Sequence, residues 1–155
     1  MILSDPSAER ATLAGFYQFG KDAFIDTSKL LSIKSYTIDT NKILFEIFNH
    51  IFTKDVEKID FYLLLSTANT LKLTDVFNQE SEYIRRVIEF PVEQTNILGF
   101  AEKLSKLQIA RSLLQVIDND CKPALLETSG SESITEIILF KYFLVSSSIS
   151  SLFVD

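Results

Sequence analysis

Apolar residues that recur three and four apart over about five helical turns form a stripe that must be kept from water. The segment "NILGFAEKLSKLQIARSLLQVIDND", from Asn96 to Asp120, has such a pattern. Thr95 stands where a helix cap is expected, and Ile97, Phe100, Leu104, Leu107, Ala110, Leu114 and Ile117 read as one long, narrow seam. Lys103, Lys106 and Arg111 lie off that seam, available to solvent or to a partner's carboxylates. After Pro123, "PALLETSGSESITEIIL" is expected to fold back before the polar break "TSGSES", making a helical hairpin over 95–128. A two-helix hairpin has no interior of its own, so either the rest of the chain or a second copy must cover the seam.

The remainder of the chain also reads as helical. Only 4 Gly and 3 Pro occur in 155 residues, too little material for a set of hairpin turns, while 46% of the residues are hydrophobic and 13 are Phe. This length buries a single core without disulfides. The expected fold class is all-α: a small multi-helix head over 1–94, the hairpin over 95–128, and a further C-terminal helix or linker remnant over 129–155.

Within the head, Asp5 caps a first helix, with Pro6 at its first position and Glu9 near its positive end; Leu13, Phe16 and Tyr17 follow on its inner stripe, and the helix stops near Gly20. "DAFIDTSKLL" reads as a second helix and "DTNKILFEIFNHIF" as a third, capped by Asp39 or Thr40, with Ile43, Leu44, Ile47, Phe48 and Ile51 on a buried face. "KIDFYLLLSTANTL" is a fourth, whose Leu63, Leu64 and Leu65 imply burial on more than one side. "TDVFNQESEYIRRVIEF" is a fifth, stopped by Pro91.

Several function classes lack their parts. A net charge of −6, with Arg85-Arg86 the only adjacent basic pair, argues against a phosphate-binding surface and against strong direct DNA binding. One histidine, His50, and one cysteine, Cys121, cannot build a zinc site, a disulfide or a Ser-His-Asp triad, and the lone cysteine fits a reducing cytoplasm. No catalytic, cofactor or metal residue is assigned. Asp118, Asp120 and Glu127 cluster near the expected hairpin tip, where exposed charge serves solubility. The apolar run "IILFKYFLV" at 137–145 is interrupted by Lys141 and is shorter than the roughly 20 residues a membrane span requires.

"GFYQFGKD" matches a phosphate loop as far as Lys21, but Asp22 stands where Ser or Thr would hold magnesium. Its loop residues would be Phe16, Tyr17, Gln18 and Phe19, too bulky for backbone N–H groups to cradle phosphates, and a helical pattern precedes them rather than a strand.

Taken in order, the fragments resemble the N-terminal domain of DnaB-type replicative DNA helicases over roughly residues 5–137. Glu9 and Leu13 match its opening helix, and Tyr36 the aromatic position after the second helix. Asn41-Lys42 with Leu44-Phe45-Glu46 stand where the family has "HR..IF.AI". Ile59-Asp60 and Tyr83-Ile84 follow, then Pro91, Asn96-Ile97, Phe100-Ala101, Leu104, Arg111 and Leu113. The chain departs from the family at Ala14-Gly15, which shift the expected glycine by one place, and at Leu107, where the family often carries Lys.

The resemblance implies a collar in which N-terminal domains pair through their helical hairpins, build a hexameric ring and receive primase or a helicase loader. Carried over by position, the dimer contact is Ile97, Phe100, Leu104, Leu107, Leu114 and Ile117, with Arg111 at its rim. ATP and magnesium belong to the family's RecA-like motor, for which these 155 residues hold no phosphate loop. The ending "LFKYFLVSSSISSLFVD" is too apolar for a free linker and reads as a truncated or divergent piece, or as a terminal helix repurposed for packing. The competing reading is an unrelated helical adaptor that dimerises through 95–128.

Overall fold

The computed structural model describes residues 3–56, 58–127, 133, 135–137, 139, 143, 146 and 147. Among them are eight α-helices and no strand: α1 Pro6–Phe19, α2 Lys21–Ser28, α3 Asp39–Phe52, α4 Phe61–Thr70, α5 Thr74–Gln79, α6 Ser81–Ile88, α7 Ile97–Val116 and α8 Lys122–Leu126. Short 3₁₀ turns at Ile33–Ser35 and Gln94–Asn96 and a wide π-type turn at Ile117–Cys121 connect them. The chain divides into two compact units, residues 2–105 and 106–155, and the boundary falls inside α7.

In the first unit α1 is central, packing on α2, α3 and α6. Asp5 caps it, accepting from the backbone N–H of Ser7 at 3.1 Å and of Ala8 at 3.0 Å. Gly20 ends it: the residue has φ 70°, a conformation costly for any side chain, and donates its N–H to the Phe16 carbonyl before α2 begins. Small residues line the buried side of α1, and Gly15 meets Ile97 so closely that an added methyl would lie 2.5 Å from Ile97 Cδ1.

The core is aromatic. Leu44, Ile47, Phe48 and Ile51 of α3 are buried, as the helical spacing predicts. Phe16 meets Phe24 and Phe48 edge-on, at 5.3 and 5.9 Å between ring centroids, and Phe24 stacks on Phe52 at 4.7 Å. These are the favourable arrangements for ring quadrupoles and add to the roughly 1.5–3 kcal/mol that burying each side chain contributes. Leu64 of α4 is buried and its neighbours Leu63 and Leu65 pack half-buried against the same core.

Two head boundaries differ from the sequence expectation. Asp39 is the first residue of α3 rather than its cap; Ile38 holds the cap position and provides no side-chain bond, so the helix end is satisfied from elsewhere. The expected fifth helix is two, α5 and α6, separated at Glu80, whose ψ of 10° breaks the helical run.

The second unit corrects the hairpin. The backbone stays helical from α7 through the π-type turn into α8, so no reversal occurs at 118–123. Pro123 has no N–H for the preceding turn, and the wide turn accommodates this by bonding the Lys122 N–H to the carbonyl of Ile117. The predicted break "TSGSES" lies almost wholly outside the described residues, as does most of the 129–155 tail. Thr135–Ile137, Leu139, Phe143, Ser146 and Ser147 are helical.

Candidate assembly surface

The seam predicted from Ile97 to Ile117 is not covered evenly along its length. At 3.6 residues per turn, the line from Ile97 through Phe100, Leu104, Leu107 and Leu114 to Ile117 winds about 160° round the helix axis.

The burial of the side chains differs from one end to the other. Ile97 and Leu104 are 2% and 1% exposed and belong to the core of the first unit, together with Ala101; Phe100 packs half-buried against the same core. Those positions are covered by this chain, which corrects the expectation that a second copy buries Ile97 and Leu104. Leu107 and Arg111 are half-buried, whereas Leu114 is 48% and Ile117 41% exposed.

Beyond the π-type turn the apolar surface continues in Leu125 and, at 86% exposure, Leu126. The sequence reading missed both, because it assigned the stretch after Pro123 to a returning arm; the signal was the apolar pair itself. Among the charged residues of α7, Lys106 is exposed as expected, but Lys103 is ion-paired with Asp5. Arg111 also has an interaction within the chain.

The phosphate-loop reading fails on geometry. Gly15 to Phe19 lie in α1, and Lys21, the first residue of α2, donates to Asp55 Oδ1 at 2.8 Å.

The head's buried polar groups form a second cluster. The Glu9 carboxylate accepts from the Thr37 N–H at 2.8 Å, the Thr37 hydroxyl at 2.5 Å, the Ile38 N–H at 3.3 Å and the Asn41 side-chain amide at 2.8 Å. Asn41 Oδ1 accepts in turn from the Tyr83 hydroxyl at 3.1 Å. Thr12 Oγ1 donates to the Glu9 carbonyl at 2.9 Å and lies 3.2 Å from the Tyr36 hydroxyl.

Burial pushes the Tyr36 phenol well above its ordinary range, against the opposing hydrogen bond from Thr12, and burial also raises Tyr83. The Glu9 acceptor sites are filled by fixed donors. This arrangement ties α1, α3 and α6 together and leaves its members engaged with one another. Glu9 was read as a favourable charge in the first turn of its own helix; the structure turns it to the N-terminus of α3, which no local pattern reveals.

Among the described residues no group of three or more His, Cys, Asp or Glu is placed to hold a metal ion, and no helix is long and apolar enough to cross a membrane. No protein-family model matches the sequence, and no curated protein matches it. Among solved structures, the crystal structure of the N-terminal domain of DnaB helicase from Mycobacterium tuberculosis is similar over 95% of this chain and 99% of that one, with a TM-score of 0.74 and 14% identity. The chain has the fold of a DnaB N-terminal domain.

Proposed function

We propose that the chain is a non-catalytic assembly module of a replicative DNA helicase: it pairs with a second copy, sets the spacing of subunits in a ring and offers the ring's face to a primase or loader in the cytoplasm. The observation that carries this reading is the exposed apolar ridge, Leu114, Ile117, Leu125 and Leu126, on a domain of DnaB N-terminal fold. A monomer gains nothing by holding such a row of side chains in water, whereas a helix–helix contact with a second copy buries it. ATP hydrolysis would belong to a separate motor domain, so this chain is expected to turn over no ATP by itself.

Light scattering on the purified chain over a concentration series tests the reading. Dimers, or hexamers built from them, that form as concentration rises support it. A chain that remains monomeric at millimolar concentration fits instead a helical adaptor whose partner is another protein.

A further inference from the structure

Between α2, the 3₁₀ turn at Ile33–Ser35 and α3 lies a surface cleft of about 410 Å³, within the range of sites that hold ligands. Its lining belongs entirely to the first unit. The floor is made by Phe24, Leu31 and Phe45, the last two buried. It is also fixed, because Phe24 stacks on Phe52 and Phe45 packs on Tyr36 with ring centroids 5.0 Å apart. Ile33 in the lining is exposed, and so is Ile25, one turn before Ser28 of the lining. An apolar recess bordered by open isoleucines gains by receiving an apolar side chain.

The polar groups beside the recess narrow its occupant. Glu46 and Asn49 are three apart on α3, so they share a face, and both line the cleft. Lys42, one turn before Glu46, is taken by Asp39 at 2.7 Å, and Lys21 at the start of α2 is taken by Asp55 at 2.8 Å. Glu46 is exposed, is the single charged side chain of the lining, and pairs with no cation among the described residues. The exposed Asn49 side-chain amide offers both a donor and an acceptor, the complement of a peptide bond. A net charge of −6 attracts cations to the surface as a whole.

We infer that this cleft binds a basic, apolar segment of a partner protein. An aliphatic or aromatic side chain of the segment enters over Phe24, Leu31 and Phe45, a Lys or Arg beside it meets Glu46, and Asn49 bonds its backbone. An acidic segment would bring a carboxylate against Glu46, with no base in the lining to receive it. The cleft serves this role whether or not the chain self-associates.

Nuclear magnetic resonance titration of the full chain uses three short synthetic peptides: leucine flanked by lysines, leucine flanked by glutamates, and alanine flanked by lysines. The first is expected to bind most tightly, with amide shifts centred on Phe24, Ile33, Glu46 and Asn49. Glu46→Gln should weaken it about threefold to fivefold, more than Asp75→Asn, which removes an exposed charge from α5. Ser28→Phe, which fills the cleft from the exposed end of α2, should abolish binding, with circular dichroism as a check on folding. Equal binding of the glutamate or alanine peptide, equal loss from Glu46→Gln and Asp75→Asn, shifts centred elsewhere, or no shift at millimolar peptide each overturns the inference. So does movement of the same amides with the chain's own concentration and no peptide, which would make a second copy the occupant.

Discussion

Glu9 of α1 caps a helix that is not its own: its carboxylate receives the Ile38 N–H and the Asn41 side-chain amide at the start of α3. A fully buried carboxylate is costly unless donors and a helix N-terminus compensate for its lost hydration, and both are present here. Glu9→Ala leaves those donors without an acceptor in a closed core. The expected loss is about 3 kcal/mol, read as a lowered midpoint in urea unfolding. A change below about 0.5 kcal/mol would mean that the network is idle.

Gly15 admits Ile97 to the face of α1, and Gly15→Ala pushes a methyl group into it. The expected cost is about 1–3 kcal/mol from overpacking. Adding Ile97→Val should recover part of it, so that the two changes together cost less than their sum. Thermal melts of the single and double variants measure the coupling.

The two ends of the α7 seam should respond differently to the same substitution. Leu104 lies in the core of this chain, so Leu104→Asp buries a charge without a partner and should cost more than about 3 kcal/mol or abolish folding. Leu114 is exposed, so Leu114→Asp should move the melting free energy by no more than about 0.5 kcal/mol while abolishing self-association. Equal effects on folding would show that the chain covers both ends of the seam alike.

The Asp5 carboxyl is held below the usual carboxylate range chiefly by its hydrogen bond with Lys103, then by the Ala8 N–H, against the opposing effect of burial. A lowered folded value means that the stabilisation is present above the unfolded pKa of about 4 and is lost as pH falls through the lower folded value. Lys103→Met should therefore destabilise the fold slightly at pH 7, by about 1 kcal/mol or less for a pair whose lysine is largely exposed. The difference from wild type should close as pH falls through the lowered folded value of Asp5 and shrink in high salt. A difference that persists in acid would assign the effect to packing of the lysine stem instead.

What could be read directly from the residues was whatever depends on neighbours along the chain. The cap at Asp5, the stop at Gly20, the buried face of α3 and the scarcity of turn residues follow from backbone hydrogen bonding and helical periodicity, so the all-α class and the failed phosphate loop were both legible. The ordered fragments around Glu9, Tyr36, Asn41 and Tyr83 carried the resemblance. Three of those residues prove to be joined in one chain of hydrogen bonds, Glu9 to Asn41 to Tyr83, across separations that no local spacing encodes.

Tertiary structure decided the rest. A pattern of threes and fours states that a helix is apolar but not which segment of it is covered: the seam is closed over at Ile97 and Leu104 by contact with α1 and the core, and open at Leu114 and at Ile117 in the wide turn that follows α7. Likewise Pro123, read as the start of a returning arm, is absorbed by one wide turn and the helix continues. Local preference lists the conformations a segment can adopt at modest cost; packing between distant segments selects among them, because burying a face yields more free energy than a cap or a turn residue commands.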